Sequence, residues 1–167
     1  MRRVQALESR GPGERQRVET RAVPENMPGK VEEMSAKELK EALSEAQVDF
    51  SDCFEKADLR MRLKSHLSKL NEDMVMKKKQ YANNAFARGS FALAIRFYTD
   101  ALNLLEEGGG SQLMSDQIYS NKSLTFLKMD QAHSALTEAR NCDPSYAKGW
   151  LRIANALARL GESTKVE

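Results

Sequence analysis

A chain of 167 residues has room for one ordinary domain, or for a smaller one with tails. A hydrophobic fraction of 41% suffices for a core, while 30% charged residues and a mean hydropathy of −0.60 imply that part of the chain stays unpacked. The net charge of +2 excludes a general polyanion binder and leaves only a local basic groove, and the two cysteines, Cys53 and Cys142, are too far apart for a CxxC metal or redox site.

Residues 1–33 mix charge with Gly and Pro and carry no sustained apolar period, so a disordered tail is expected there. Arg2, Arg3, Arg10, Arg15, Arg17 and Arg21 raise the question of a transit peptide, but Glu8, Glu14 and Glu19 are interspersed where such peptides are poor in acids.

Residues 34–70 read as a helix-loop-helix. In "SAKELKEAL" Ser35 and Glu38 have the spacing of a capping box, and Leu39, Leu43 and Ala46 form a stripe. The loop "DFSDC" follows, and "FEKADLRMRLKSHLSKL" then places Leu59, Leu63 and Leu67 on one helical face, with Leu70 beside them. The stretches "SAKELKEAL" and "CFEKADLRMRL" resemble a SAP-like module, in particular the C-terminal domain of the mesencephalic astrocyte-derived neurotrophic factor family. That family often has a CxxC pair in this loop; here Phe50 stands three before Cys53, which removes the disulfide. SAP modules can bind DNA, so the resemblance brings Lys37, Lys40, Arg60, Arg62 and Lys64 into question, against the default reading of solvated polar faces.

From residue 71 to the C-terminus the pattern is helical and repetitive, and five antiparallel helices are expected over 71–161. In "YANNAFARGSFALAIRFYTDALNLL" Gly89 can end one helix and Ser90 start the next, whose apolar face comprises Phe91, Ala94, Ile95, Tyr98, Ala101, Leu102 and Leu104. This resembles the tetratricopeptide repeat through Ala82, Phe86, Gly89, Phe91, Ala94, Tyr98 and Ala101, with Lys78 where the repeat opens on an aromatic. A second copy begins at "IYSNKSLTFLKM" and closes on "ALTEARNCDP"; a third opens with Trp150, Ile153, Ala154 and Leu157.

The spacing departs from 34 residues in both intervals: positions 78 and 119 are 41 apart, positions 119 and 150 are 31 apart. A loop at "EEGGGSQLM" is expected to absorb the surplus, and a helix trimmed by about one turn the shortfall. Only "GESTKVE" follows the first helix of the third repeat, so the array is expected to be incomplete at its C-terminus and to expose apolar surface near Ile153 and Leu157. The fold class is therefore all-α: two repeats and the first helix of a third, behind a helix-loop-helix and a disordered tail.

In such an array the first helix of each pair lines a concave surface. The resemblance extends to the members that hold the acidic C-terminal peptide, Glu-Glu-Val-Asp, of the seventy- and ninety-kilodalton heat-shock chaperones in a two-carboxylate clamp. Their pattern is a Lys and an Asn four apart, an Asn on the second inner helix, and a Lys and an Arg four apart on the third. Lys79, Asn83, Asn121, Lys148 and Arg152 fill all five places. Lys148 and Arg152 are one turn apart, where like charges destabilise a helix by about 0.2–0.5 kcal/mol, a repulsion that a bound carboxylate would remove. Phe86 and Leu124 are weaker groove candidates that have packing as their alternative.

Taken together, these features lead to the expectation of a cytoplasmic co-chaperone adaptor without catalytic activity, cofactor, metal or membrane partner. His66 and His133 lack ligand-spaced partners, Gly108–Gly110 is not followed by a phosphate-loop Lys, and no nucleophile and base stand at a useful spacing. Two other readings stay open: a scaffold for an internal peptide segment, and a nucleic-acid adaptor acting through the SAP-like helices.

Overall fold

A computed structural model of the chain describes residues 30–163, and the expected tail lies outside the described residues up to position 29. Six helices follow in order: α1 (Ala36–Glu45), α2 (Lys56–Ala87), α3 (Phe91–Gly108), α4 (Gln112–Lys128), α5 (Ala132–Arg140) and α6 (Ala147–Ser163). Each packs against the next, α4 also packs against α6, and side-chain hydrogen bonds join α4 to α2.

The capping box at the start of α1 forms in full: Ser35 Oγ accepts from the Glu38 N–H, and Glu38 Oε2 accepts from the Ser35 N–H at 2.7 Å. Leu39 and Leu43 then meet Leu59 and Leu63 of α2 in a small core, with Phe50 and Cys53 of the loop packed on its margin. Phe50 thus serves this loop as apolar packing. Residues 30–33, assigned to the tail on sequence, instead belong to this module. They form a turn closed by Glu33 N–H on Lys30 O at 3.1 Å, and Val31 is fully buried among the leucines.

The boundary drawn at residue 71 falls inside α2, which runs unbroken for 32 residues, about 48 Å at the usual rise. Its N-terminal half supplies the small core; its C-terminal half supplies Val75, Ala82 and Ala85 to a second core with Ala94, Tyr98, Ala101, Leu102 and Leu105 of α3 and Ile118 of α4. Asn71 itself is buried and donates Nδ2 to the Leu104 carbonyl at 3.0 Å, pinning the junction to the end of α3. Asn71→Ala is expected to lower stability by about 1 kcal/mol in urea denaturation, the net contribution of one such bond.

Gly89 does end α2: its φ of 75° turns the chain, and the Ser90 N–H reaches back to Ala85 O at 2.9 Å. Lys78, the departure from the repeat's opening aromatic, pairs with Asp100 at 2.8 Å and lies 5.7 Å above the Phe97 ring.

The inter-repeat loop is shorter than the sequence suggests. Glu106–Gly108 continue α3 and Gln112–Met114 already belong to α4, leaving only residues 109–111 between them, with Gly109 at φ 67°. The surplus is helix rather than loop, because Leu105 stays buried and Asn71 holds the preceding carbonyl. The shortfall falls on α5, nine residues against eighteen in α3.

The third core joins Ala135 and Leu136 of α5 to Ala156 of α6, with Ile153 and Leu160 against it. Trp150, Leu151 and Leu157 of α6 are each more than half exposed. Of the two residues expected at the open face, Leu157 is there and Ile153 is turned inward. No described helix is long and apolar enough to cross a membrane.

Candidate peptide-binding groove

The adjoining inner elements are the C-terminal half of α2, then α4 and α6, and all five clamp candidates lie on them. Lys79 and Asn83 stand one turn apart on α2. Lys79 Nζ donates to Gln117 Oε1 of α4, and Asn121 Nδ2 of α4 donates to Asn83 Oδ1 at 3.3 Å. Arg152 reaches back from α6, with Nε on the Ser120 carbonyl at 3.3 Å, next in sequence to Asn121. Hydrogen bonds thus join Lys79, Asn83 and Asn121 across α2 and α4, and tie Arg152 to the same stretch of α4. Lys148, one turn before Arg152, is exposed and has no hydrogen-bond or ion-pair partner among the described residues.

The charges are distributed unevenly. Of the half-buried cations among the described residues, Arg60 pairs with Glu32, Arg62 with Asp52, Lys78 with Asp100 and Lys122 with Glu138. Lys79 and Arg152 are half-buried too, yet their partners are a neutral amide and a backbone carbonyl. Burial holds the Lys79 ammonium below the ordinary lysine range. The carboxylate nearest in sequence to Gln117, Asp116, is buried and turned to structural use: its Oδ1 accepts from the Asp143 N–H at 2.8 Å and from Gln112 Nε2 at 3.0 Å, fixing the loop before α6. The groove is therefore lined by donors, with its partly desolvated cations unmatched by any carboxylate among the described residues.

Two participants escaped the sequence reading. Gln117 is one turn before Asn121 on the same face of α4, a spacing that would have flagged it as a groove residue. Helical periodicity puts Tyr98 in the core, where its ring does lie, but its hydroxyl emerges to donate to Asn83 Oδ1 at 2.6 Å. Phe86 packs on the second core with its ring 5.5 Å from that of Phe91, and Leu124 is half-buried. Ser120, between Tyr119 and Asn121, is buried with its hydroxyl unpartnered, in keeping with a small residue at a close helix crossing. Close approach also governs α6, where a side chain at Gly149 would meet Cys142 Cβ at 2.8 Å.

In the helix-loop-helix, Arg60 and Lys64 both pair with Glu32, and Arg62 with Asp52, so the cations singled out there are largely neutralised within the module. Among the described residues no group of three or more His, Cys, Asp or Glu side chains is placed to hold a metal ion.

Comparison with known proteins finds a family match over the stretch that holds the first core. A family described as the E3 ubiquitin-protein ligase rififylin-like domain matches residues 26–71. Over 92 residues the chain is 30% identical to the STIP1 homolog of Dictyostelium discoideum and 29% identical to heat shock protein STI1 of Saccharomyces cerevisiae, in each case 53% of this chain and 15% of the relative. It is also 31% identical over 87 residues to the E3 ubiquitin-protein ligase TTC3 of Rattus norvegicus, half of this chain and 4% of that protein. The chain thus spans a small part of the relatives it matches, and no solved structure matches it. What paired helices, three stacked cores and these similarities establish together is an all-α array of tetratricopeptide type, related to the STI1-type co-chaperones.

Proposed function

We propose that this chain is a cytoplasmic co-chaperone adaptor whose groove holds the acidic C-terminal peptide of a seventy- or ninety-kilodalton heat-shock chaperone, and that it acts by binding, without catalysis. The observation that carries the reading is the pair of half-buried cations, Lys79 and Arg152, that have no carboxylate partner among the described residues while their half-buried counterparts there each have one. A peptide ending in aspartate brings two carboxylates within one residue. One is taken by Lys79 with the amide N–H groups of Asn83 and Asn121; the other lies between Lys148 and Arg152, whose mutual repulsion it relieves. Similarity to STI1-type proteins supports this choice of ligand. The match to a rififylin-like domain and to TTC3, both named as ubiquitin ligases, supports a second role for the helix-loop-helix as a protein-docking module, which would place a chaperone tail and the ubiquitin machinery on one chain.

Calorimetric titration of the full chain with a peptide ending in Glu-Glu-Val-Asp tests the groove. The free acid is expected to bind at least about tenfold more tightly than the same peptide amidated at its C-terminus, since charge-assisted hydrogen bonds contribute about 1.5–3 kcal/mol each. Equal affinity for the two would reduce the site to a generic peptide-binding array.

A further inference from the structure

The chemistry of the first repeat depends on which end of the Asn83 amide faces outward, and that end is selected from beneath. Tyr98 belongs to α3, not to a groove helix; its ring is 2% exposed and packs with Ala82, Ala94 and Ala101. Its hydroxyl lies 2.6 Å from Asn83 Oδ1, and Asn121 Nδ2 approaches the same oxygen at 3.3 Å. Two donors thus converge on the acceptor end of an amide whose residue is otherwise exposed. The nitrogen end, with two N–H groups and no partner among the described residues, is left to the groove. Turned over, the same amide would present its oxygen to an incoming anion and set its nitrogen against that of Asn121.

We propose that Tyr98 is a positioning residue for the groove: its hydroxyl holds the Asn83 amide with nitrogen outward, so that the first repeat offers a carboxylate ligand only donors. This rests on the reading of the groove as a carboxylate site and adds to it a residue outside the five. Burial pushes the phenol up to about 12, so the hydroxyl keeps its proton and its donor role throughout the physiological range. Asn83 is on an exposed helix face, where an amide without a second-layer partner would rotate freely; fixing it beforehand removes an ordering cost from binding.

Tyr98→Phe deletes the hydroxyl and leaves the ring. In the full chain it is expected to weaken binding of the free-acid peptide about fivefold to tenfold, the size of one hydrogen bond, and to leave affinity for the amidated peptide within about twofold of the parent. A merely structural role would lower both affinities alike. If the parent prefers the free acid and Tyr98→Phe prefers it equally strongly, this inference is overturned while the carboxylate groove stands; if the parent has no preference, both fall. Should the variant not fold, the parent alone decides. Its Asn83 side-chain N–H resonances are expected to shift on adding the free acid and not the amide, and resonances unmoved by the free acid overturn the proposal.

Discussion

Arg152→Ala is expected to weaken binding of the free-acid peptide by tenfold to a hundredfold, about 1.5–3 kcal/mol, with Lys79→Ala in the same range and Asn83→Ala smaller. Arg152 is anchored through Nε to the Ser120 carbonyl, and its two terminal nitrogens, a planar fork, have no partner among the described residues. Arg152→Lys is therefore expected to recover little: an ammonium cannot keep the Ser120 anchor and grip a carboxylate at two points. Amidating the peptide removes the main-chain carboxylate that Lys79 shares with Asn83 and Asn121, after which Lys79→Ala should cost little more, while Arg152→Ala, acting on the aspartate side chain, should keep most of its cost. That non-additivity distinguishes a common carboxylate from independent surface charges, whose effects would add and would vanish with salt. The calorimetric cycle of two peptides and two proteins reads all four numbers directly.

Most of what positions the groove is legible in the sequence because it is local. The spacing of Ser35 and Glu38 specifies a cap, Gly89 specifies a left-handed turn, and the helical periods place Lys79 with Asn83, and Lys148 with Arg152, one turn apart. The contacts that complete the groove are not local. Tyr98 and Asn83 are fifteen residues apart, Lys79 and Gln117 thirty-eight, and no periodicity within one helix announces a hydrogen bond to another. Tyr98 illustrates the difficulty, since its ring satisfies the core pattern so well that the use of its hydroxyl stays hidden. The continuity of α2 was obscured for a different reason. Between Lys56 and Ala87 there is no Gly or Pro, so nothing local breaks the helix, yet its buried face passes from one core to another near Asn71 and two unlike patterns meet there. Val31 lies beyond the first capping box, where a single apolar residue among charges carries no period at all.

The same continuity sets the largest expected stability effect. Lys69 is exposed and unpartnered among the described residues on α2, between Leu67, the last side chain packed on the first core, and Asn71, which pins the junction. Lys69→Pro removes a helical N–H and drives the ring against the carbonyl one turn back, costing about 3 kcal/mol, whereas Lys69→Ala should change stability by less than about 0.5 kcal/mol. Hydrogen exchange is expected to report the loss locally, as a fall of about two decades in amide protection over residues 66–73. Each core draws its residues from one side of this point, so both modules should still fold and peptide affinity should stay within about threefold of the parent. What should change is the spacing of the modules. Spin labels at the exposed positions Lys40 and Arg96 are expected to give a narrow distance distribution in the parent and a broad one in Lys69→Pro. A distribution equally narrow in both would mean that contacts other than the helix hold the two cores together. A broad one in the parent would mean that α2 already bends there. If α2 behaves as a strut, a ligand in the groove and a protein docked on the helix-loop-helix are held at one fixed separation, and the proline should weaken any coupling between the two binding events without touching either site.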